Sequence, residues 1–351
     1  MIGTSLTVCQ TSEKKVYQRV GAQCLQVRAV EKITQLAFAK GYVTFENQKL
    51  INVRPEFVVD SISLASFVRD TNPRPDGLSY CLNEGLLDYN DWTPLVCGVL
   101  LFGDQPQGVF PTRCECRIVF YDTRLEVPER EHLKINETIG GPLYDQIHAV
   151  VARVSDIMSG IQILTPDGMK QVTYPPEAIW EIIVNAIIHR DYSIADDVQV
   201  VIFQNRIEVL SPGRLPGHVT VENILDVRDS RNPKIVRSLR RYKNAPNQDL
   251  GEGLNTAFQK MKEWRLQPPV IEQLSNAVRV TIPHAPLATP EEAVLEYLQT
   301  HEEVNNSIAR SLTGIKSENQ MKEVFYRLRD RGLIERVPNK LGNAAAWRKI
   351  L

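Results

Sequence analysis

Glu181, Asn185 and His189 follow one another at four-residue steps in EIIVNAIIHRDY, and apolar residues fill most of the positions between them. On an α-helix, residues four apart share a face, so the three side chains would form one row. A carboxylate, an amide and an imidazole on an otherwise apolar helix are costly to bury without partners. The same set suits a nucleotide–Mg²⁺ site: Asn supplies an uncharged oxygen ligand, and Glu can orient or deprotonate a water. A structural polar seam would also account for the row. His189-Arg190-Asp191 suits a phosphate contact with a salt bridge, or equally a helix C-terminal cap.

The elements that would hold this row can be read around it. Pro175-Pro176 precede a helix over Glu177–Arg190, since proline fits a helix N-terminus. VQVVIFQNRIEVLS predicts a β-hairpin, with Val198–Phe203 and Ile207–Leu210 joined by a turn at Asn205, and Ser211-Pro212-Gly213 ends it. A long connection leads to Arg231-Asn232-Pro233, which suits a phosphate-contacting lid or a surface turn. A helix follows from Lys234 to about Tyr242. Gly251-Glu252-Gly253 opens another over Leu254–Trp264, and Ala277–Pro283 reads as a strand. Glycines ahead of a helix let backbone N–H groups and the helix dipole meet a phosphate, although a plain helix start uses them too. Upstream, Lys15–Gly21 reads as a strand. Val30–Lys40, Asp60–Asp70 and Gly77–Leu87 read as helices, and Leu95–Gly103 as a buried apolar element. Arg113–Tyr121 alternates as a strand, and Gly141–Ser159 has helical amphipathic spacing.

The order of acidic–amide helix, hairpin, Gly turn, long loop, G-x-G, helix and strand resembles the GHKL ATPases, the gyrase B, Hsp90, histidine kinase and MutL type. Glu181 and Asn185 match that family's E-x-x-x-N box. Gly213 falls at its first Gly turn, and Gly251 and Gly253 at its second. More closely, NAIIHRDY, RIEVLSPGRLP, RNP and GEGL resemble a bacterial and archaeal group of transcriptional regulators, also described as RecG-related or divergent ATPases. In that group a GHKL-like domain follows an AlbA-like, Schlafen-type DNA-binding domain. The resemblance covers roughly Val16–Pro283 and is specific over Tyr174–Pro283. It implies ATP and Mg²⁺ as ligands, Glu181 as the catalytic carboxylate and Asn185 as the metal ligand. Two departures stand out. Ser211 occupies the place of the Asp that binds the adenine amino group in typical members. The chain also begins near the end of the AlbA-like segment, so only that domain's tail is expected. There is no G-x-x-x-x-G-K-[ST] phosphate loop to support a helicase.

HAPLATP, His284–Pro290, reads as a linker. Beyond it, helices over Glu291–His301, Asn305–Leu312 and Glu318–Gly332 and strands near Ile334–Val337 and Ala345–Lys349 outline a winged helix-turn-helix. Val324, Leu328, Leu333 and Ile334 would form its core stripe. The last 48 residues carry ten Lys/Arg against four Asp/Glu, an excess of six within a chain of formal charge −1. Such a block suggests a polyanion-binding module. Lys316, Asn319, Gln320, Lys322 and Arg327 would lie on or near a recognition helix, and Lys340 and Arg348 on the wing, contacting double-stranded DNA. Use of the same fold for protein contact or dimerisation is the other reading.

At 351 residues the chain can hold two or three cores. The expected division is 1–160, an N-terminal α/β region; 161–284, a GHKL-like layer of helices on a mixed sheet; and 290–351. The fold class is α/β (α+β). All six cysteines precede residue 120 without a C-x-x-C pair, which fits reduced buried thiols. No signal peptide or run of ~18 apolar residues is visible, so a cytoplasmic protein with no membrane partner is expected. The expected function is an ATP-binding, DNA-binding regulator, working as a homodimer. The alternatives are a DNA-dependent ATPase in DNA metabolism or phage defence, and a GHKL-like dimerisation scaffold that binds no nucleotide.

Overall fold

Strands of alternating burial build a six-stranded mixed sheet on which the polar row is mounted. In the computed structural model the described residues are 15–20, 23–28, 44–71, 76–165, 168–171, 173–227, 229–247, 253–284, 290–313, 315, 317–338, 340 and 345–350. The expected helix Val30–Lys40 lies outside them. In chain order the elements are β1 (Val16–Val20), β2 (Gln23–Val27), α1 (Glu56–Val59), α2 (Ile62–Thr71), α3 (Gly77–Asn83), α4 (Val96–Phe102), β3 (Cys116–Tyr121), β4 (Leu133–Ile139) and α5 (Leu143–Ser159). They continue as β5 (Gln162–Thr165), β6 (Gly168–Gln171), α6 (Pro176–Ile188), β7 (Val198–Ile202), β8 (Arg206–Pro212), α7 (Pro233–Leu239), α8 (Gly253–Glu263), β9 (Val270–Gln273) and β10 (Ala277–Pro283). The last are α9 (Pro290–Thr300), β11 (Val304–Asn305), α10 (Asn306–Thr313), α11 (Glu318–Asp330), β12 (Ile334–Arg336) and β13 (Ala346–Lys349).

The sheet order is β4-β3-β7-β8-β10-β9, with β3 and β7 parallel and the other neighbours antiparallel. β7 shows the period of a half-covered strand: Val198, Val200 and Ile202 are buried, whereas Gln199 and Val201 are half-buried. β3 and β4 precede residue 160 and β7 to β10 follow it, so one sheet joins both sides of the expected boundary at 160/161. The chain forms two compact units, Met1–His284 and Ala285–Leu351.

The apolar element before Gly103 is helix α4, with all seven residues buried. Periodicity could not distinguish it from a strand, because no side of it faces water. Two edge strands went unforeseen. β4 (LKINETI) has no fully buried residue, and β9 (VIEQ) is four residues long and mostly exposed. β9 has no apolar alternation, and in β4 the alternation of Leu133, Ile135 and Ile139 with polar residues is interrupted by Glu137.

The second unit has its own core, in which Val294, Leu298, Met321, Val324, Phe325, Leu328 and Ile334 are buried and Phe325 stacks on Trp347. Its three strands run in the order β11-β13-β12, all antiparallel. Leu333, expected in the core stripe, is 39% exposed, because α11 ends at Asp330 and Gly332 turns the chain with φ +71°. Among the described residues, no helix is long and apolar enough to cross a membrane.

Candidate functional site

Helix α6 starts at Pro176 and ends at Ile188, and eight of its thirteen residues are buried. Glu181 and Asn185 are half-buried, one turn apart. His189, expected to continue the row, is instead the C-cap: its φ of −103° and ψ of 2° leave the helix, and its N–H bonds Asn185 O at 3.1 Å. Asn185 Nδ2 donates to Glu181 O at 2.7 Å. That use of the amide nitrogen leaves Oδ1 as the atom to offer a cation or a water. Burial pushes the Glu181 carboxyl above its ordinary pKa of 4.5.

The N-terminus of α8 meets this pair. A Cβ on Gly253 would overlap Glu181 Oε2 and stand 3.3 Å from Asn185 Nδ2, so glycine permits the close approach of the two helices. At the far end of β8, Gly213 has φ +106°, and a Cβ there would come within 2.6 Å of Asp191 Cβ. Ser211 Oγ donates to Ala186 O at 2.7 Å, which ties β8 to α6.

A cavity of about 340 Å³ lies between these elements. Asn185, His189, Ser211, Gly213 and Gly253, all singled out in the sequence, line it together. They come from α6, the β8 turn and the start of α8, segments separated by up to 68 positions. Apolar side chains, including Ile182, Val209, Val278 and Val280, supply most of the remaining wall. The segment 214–230, whose described residues form neither helix nor strand, contributes Leu215, Val219, Ile224, Asp229 and Ser230 to the same wall. Sequence reading missed these as lining residues, since a long loop has no periodicity to betray which side chains turn inward.

Three expected ligand residues have other duties. Arg190 is 1% exposed, and its guanidinium donates to Arg113 O at 2.8 Å, to Glu115 O at 3.3 Å and to Asp196 O. It also lies over the Tyr192 ring. These bonds knit β3 to the turn after α6, and Arg190 does not line the cavity. Asn232, also 1% exposed, donates through Nδ2 to Ile188 O and Arg190 O, both at 2.9 Å. It therefore satisfies carbonyls that the end of α6 leaves unpaired. Arg231 pairs with Asp191 at 2.8 Å and donates to Arg214 O at 2.6 Å, clasping the loop to the Gly213 turn. Gly251 lies outside the described residues.

In the second unit, Asn319, Gln320, Lys322, Arg327 and Arg348 are exposed and Lys340 is half-buried; Lys316 lies outside the described residues. Lys322 pairs with Glu318 at 2.8 Å, Arg327 with Glu291 at 2.7 Å, Arg348 with Glu335 at 2.6 Å, and Lys340 with Glu303. Over 285–351 the ten Lys/Arg face nine Asp/Glu, so the basic excess of the last 48 residues is nearly balanced by α9 and the turn after it.

Four buried cysteines, Cys81, Cys97, Cys114 and Cys116, are free thiols, and burial pushes each up to about 12. Among the described residues, no group of three or more His, Cys, Asp or Glu side chains is arranged to hold a metal ion. A cation at Asn185 would therefore depend on ligand oxygens and water, a mode that suits Mg²⁺ with phosphates.

Residues 195–282 match the family described as "Putative ATP-dependent DNA helicase recG C-terminal". The match covers about a quarter of the chain, from just before β7 into β10. It leaves Glu181 and Asn185 outside. This middle segment is thus similar to a divergent GHKL-like ATPase domain. Among solved structures, the DIP2311 protein from Corynebacterium diphtheriae shares the fold with a TM-score of 0.51 and 17% identity, over 99% of this chain and 72% of that one. No curated protein matches the chain.

Proposed function

We propose that residues 161–284, on a sheet completed by β3 and β4, bind ATP with Mg²⁺, and that residues 290–351 bind double-stranded DNA as a winged helix. Nucleotide state would then control DNA occupancy in a transcriptional regulator. The observation that carries the first half is the convergence of Asn185, His189, Ser211, Gly213 and Gly253 on one cavity. Similarity of residues 195–282 to an ATPase family supports the same reading.

In this reading the apolar wall takes the base, and the α8 N-terminus at Gly253 faces the phosphates with backbone N–H groups. Asn185 Oδ1 is the protein ligand to Mg²⁺, which when bound neutralises charge on the phosphate oxygens. Glu181, one turn earlier, orients a water and accepts its proton. Its burial beside Gly253 raises its pKa, and this favours a second reading in which turnover itself is the output, as in a DNA-dependent ATPase. A scaffold that binds no nucleotide is the remaining alternative, kept by Ser211 in place of the expected Asp.

For the second unit, the order helix–strand–helix–helix–strand–strand supports a winged helix, and the exposed Asn319, Gln320, Lys322 and Arg327 on α11 suit a recognition helix. The Lys322–Glu318 pair is exposed and worth little, so a phosphate can displace it, whereas Arg327 is held by Glu291, whose side chain is only 15% exposed. The test compares the full chain with a form ending at His284, by DNA affinity at several salt concentrations and with or without ATP. The account expects DNA binding that weakens steeply with salt and is lost on truncation. Unchanged affinity in the shortened form would contradict it. Steady-state hydrolysis with and without DNA separates the regulator from the DNA-dependent enzyme.

A further inference from the structure

A second cavity, of about 490 Å³, shares no lining residue with the proposed nucleotide site. Its volume is in the range of small-molecule sites. Asp70 reaches it from α2, Asp104 from the turn after α4, Asp145 from the first turn of α5, and Lys243 from the segment after α7. Three carboxylates against one lysine leave its described wall two negative charges in excess. Asp104 accepts the N–H groups of Ile62 and Ser63 at 3.1 and 3.2 Å, which caps α2 but brings no opposite charge. Asp70 pairs with its exposed neighbour Arg69 at 3.3 Å, a contact worth little. Asp145 has neither a hydrogen bond nor an ion pair among the described residues. Burial pushes its carboxyl above the ordinary 3.8; His148 opposes this and Asp104 adds to it. The rest of the wall includes an aromatic cluster. Tyr144 and Tyr242 stack with centroids 3.9 Å apart, and Phe67 packs on Tyr242 at 4.6 Å. The Tyr242 hydroxyl is buried beside Ser63 and Asp145 and makes no hydrogen bond of normal geometry. The cavity thus offers anionic and phenol oxygens separated by apolar surface.

We infer that this cavity binds a linear aliphatic polyamine, with its ammonium groups on Asp70, Asp104 and Asp145 and its methylenes against Phe67 and the stacked tyrosines. The inference does not depend on the nucleotide reading. Among the described residues, no three His, Cys, Asp or Glu side chains converge to hold a metal ion, so these carboxylates are spread along the wall and not gathered on one point. A ligand that meets them all carries its positive charge at several places. An ammonium group has three N–H donors, enough for a carboxylate and a phenol oxygen together. The excess of two negative charges calls for at least two such groups, and the aromatic surface between them suits the carbon chain that joins them.

The test is calorimetry of the full chain, free of nucleotide and nucleic acid, with spermidine, putrescine, butylamine or Mg²⁺ at fixed ionic strength. The expected result is a single saturable site whose affinity rises from butylamine to putrescine to spermidine, with Mg²⁺ weaker than putrescine, the diamine of equal charge. Asp145→Asn, with its folding checked by melting temperature, should weaken spermidine by roughly tenfold, the lower end for a hydrogen bond to a charged group. Lys243→Ala removes the opposing cation and should tighten spermidine binding. No saturable binding of spermidine at millimolar concentration would overturn the inference. So would Mg²⁺ that binds as tightly as putrescine, which marks a diffuse acidic surface, or an unchanged spermidine affinity in folded Asp145→Asn. If Asp145→Asn does not fold, Lys243→Ala decides: unchanged or weaker spermidine binding there overturns the inference.

Discussion

A methyl group at Gly253 would collide with Glu181 Oε2, the far end of a flexible side chain, and not with backbone. Gly253→Ala should therefore move the Glu181 carboxylate at little cost to the fold. The expected outcome is a melting temperature within a few degrees of the parent and a loss of ATP hydrolysis of at least tenfold. Full activity would mean that the carboxylate has no part in turnover. Glu181 itself gives a second test with a definite sign. Its folded-state pKa lies above the ordinary 4.5, so the folded chain holds the proton more tightly than the unfolded chain does. That contribution to stability is present below the unfolded value and is lost as pH rises through the folded one. Glu181→Gln should melt higher than the parent at neutral pH, with the gap closing near and below pH 4.5. Its hydrolysis should fall by roughly 10²–10⁴, as for removal of a general base. A parent and variant with the same pH–melting curve would contradict the burial argument. At this scale Glu181 and Asn185 were legible because four-residue spacing is a direct statement about one helix face. Arg190 was not: a cation next to His189 suits a phosphate equally well in sequence. Only the fold shows Arg113 O, Glu115 O and Asp196 O taking its guanidinium.

Elements explain why α6 stops where it does. Asn232, 44 positions downstream of Ile188, donates to the carbonyls of Ile188 and Arg190, and the helix end depends on it. Asn232→Ala would leave both buried acceptors without that donor. The expected destabilisation is about 1–3 kcal/mol, read from urea unfolding, with weaker ATP binding because the cavity's His189 end loosens. A stability change below a few tenths of a kcal/mol would show that water replaces the amide there. Helices α2, α5, α6 and α8 and the central strands β3, β7, β8 and β10 were readable from their periods, whereas α4, buried on every side, could not be told from a strand. The edge strands β4 and β9 and the inward residues of 214–230 were not readable. β9 has no apolar alternation, that of β4 breaks at Glu137, and loops have no period at all. Helix α6 was read two residues too long, to Arg190, because helical spacing does not reveal the bonds that Asn232 makes at its end.

For the whole molecule, two cores in two units mean that the proposed nucleotide and DNA functions can be measured apart and then together. The division after His284 was visible as the linker HAPLATP, but the sheet shared by β3, β4 and β7 to β10 was not. Strand pairing across residue 160 depends on contacts far apart in sequence, which no local pattern records. The central claim is that the cavity between α6, β8 and α8 holds ATP with Mg²⁺ through Asn185. Calorimetry of the full chain with ATP, with and without Mg²⁺, tests it most directly when Asn185→Ala is run beside the parent. The account predicts saturable, Mg²⁺-dependent binding by the parent, lost in Asn185→Ala while the melting temperature barely moves. No binding of any adenine nucleotide by the parent at millimolar concentration, or Mg²⁺-dependent binding that survives in Asn185→Ala, would contradict it.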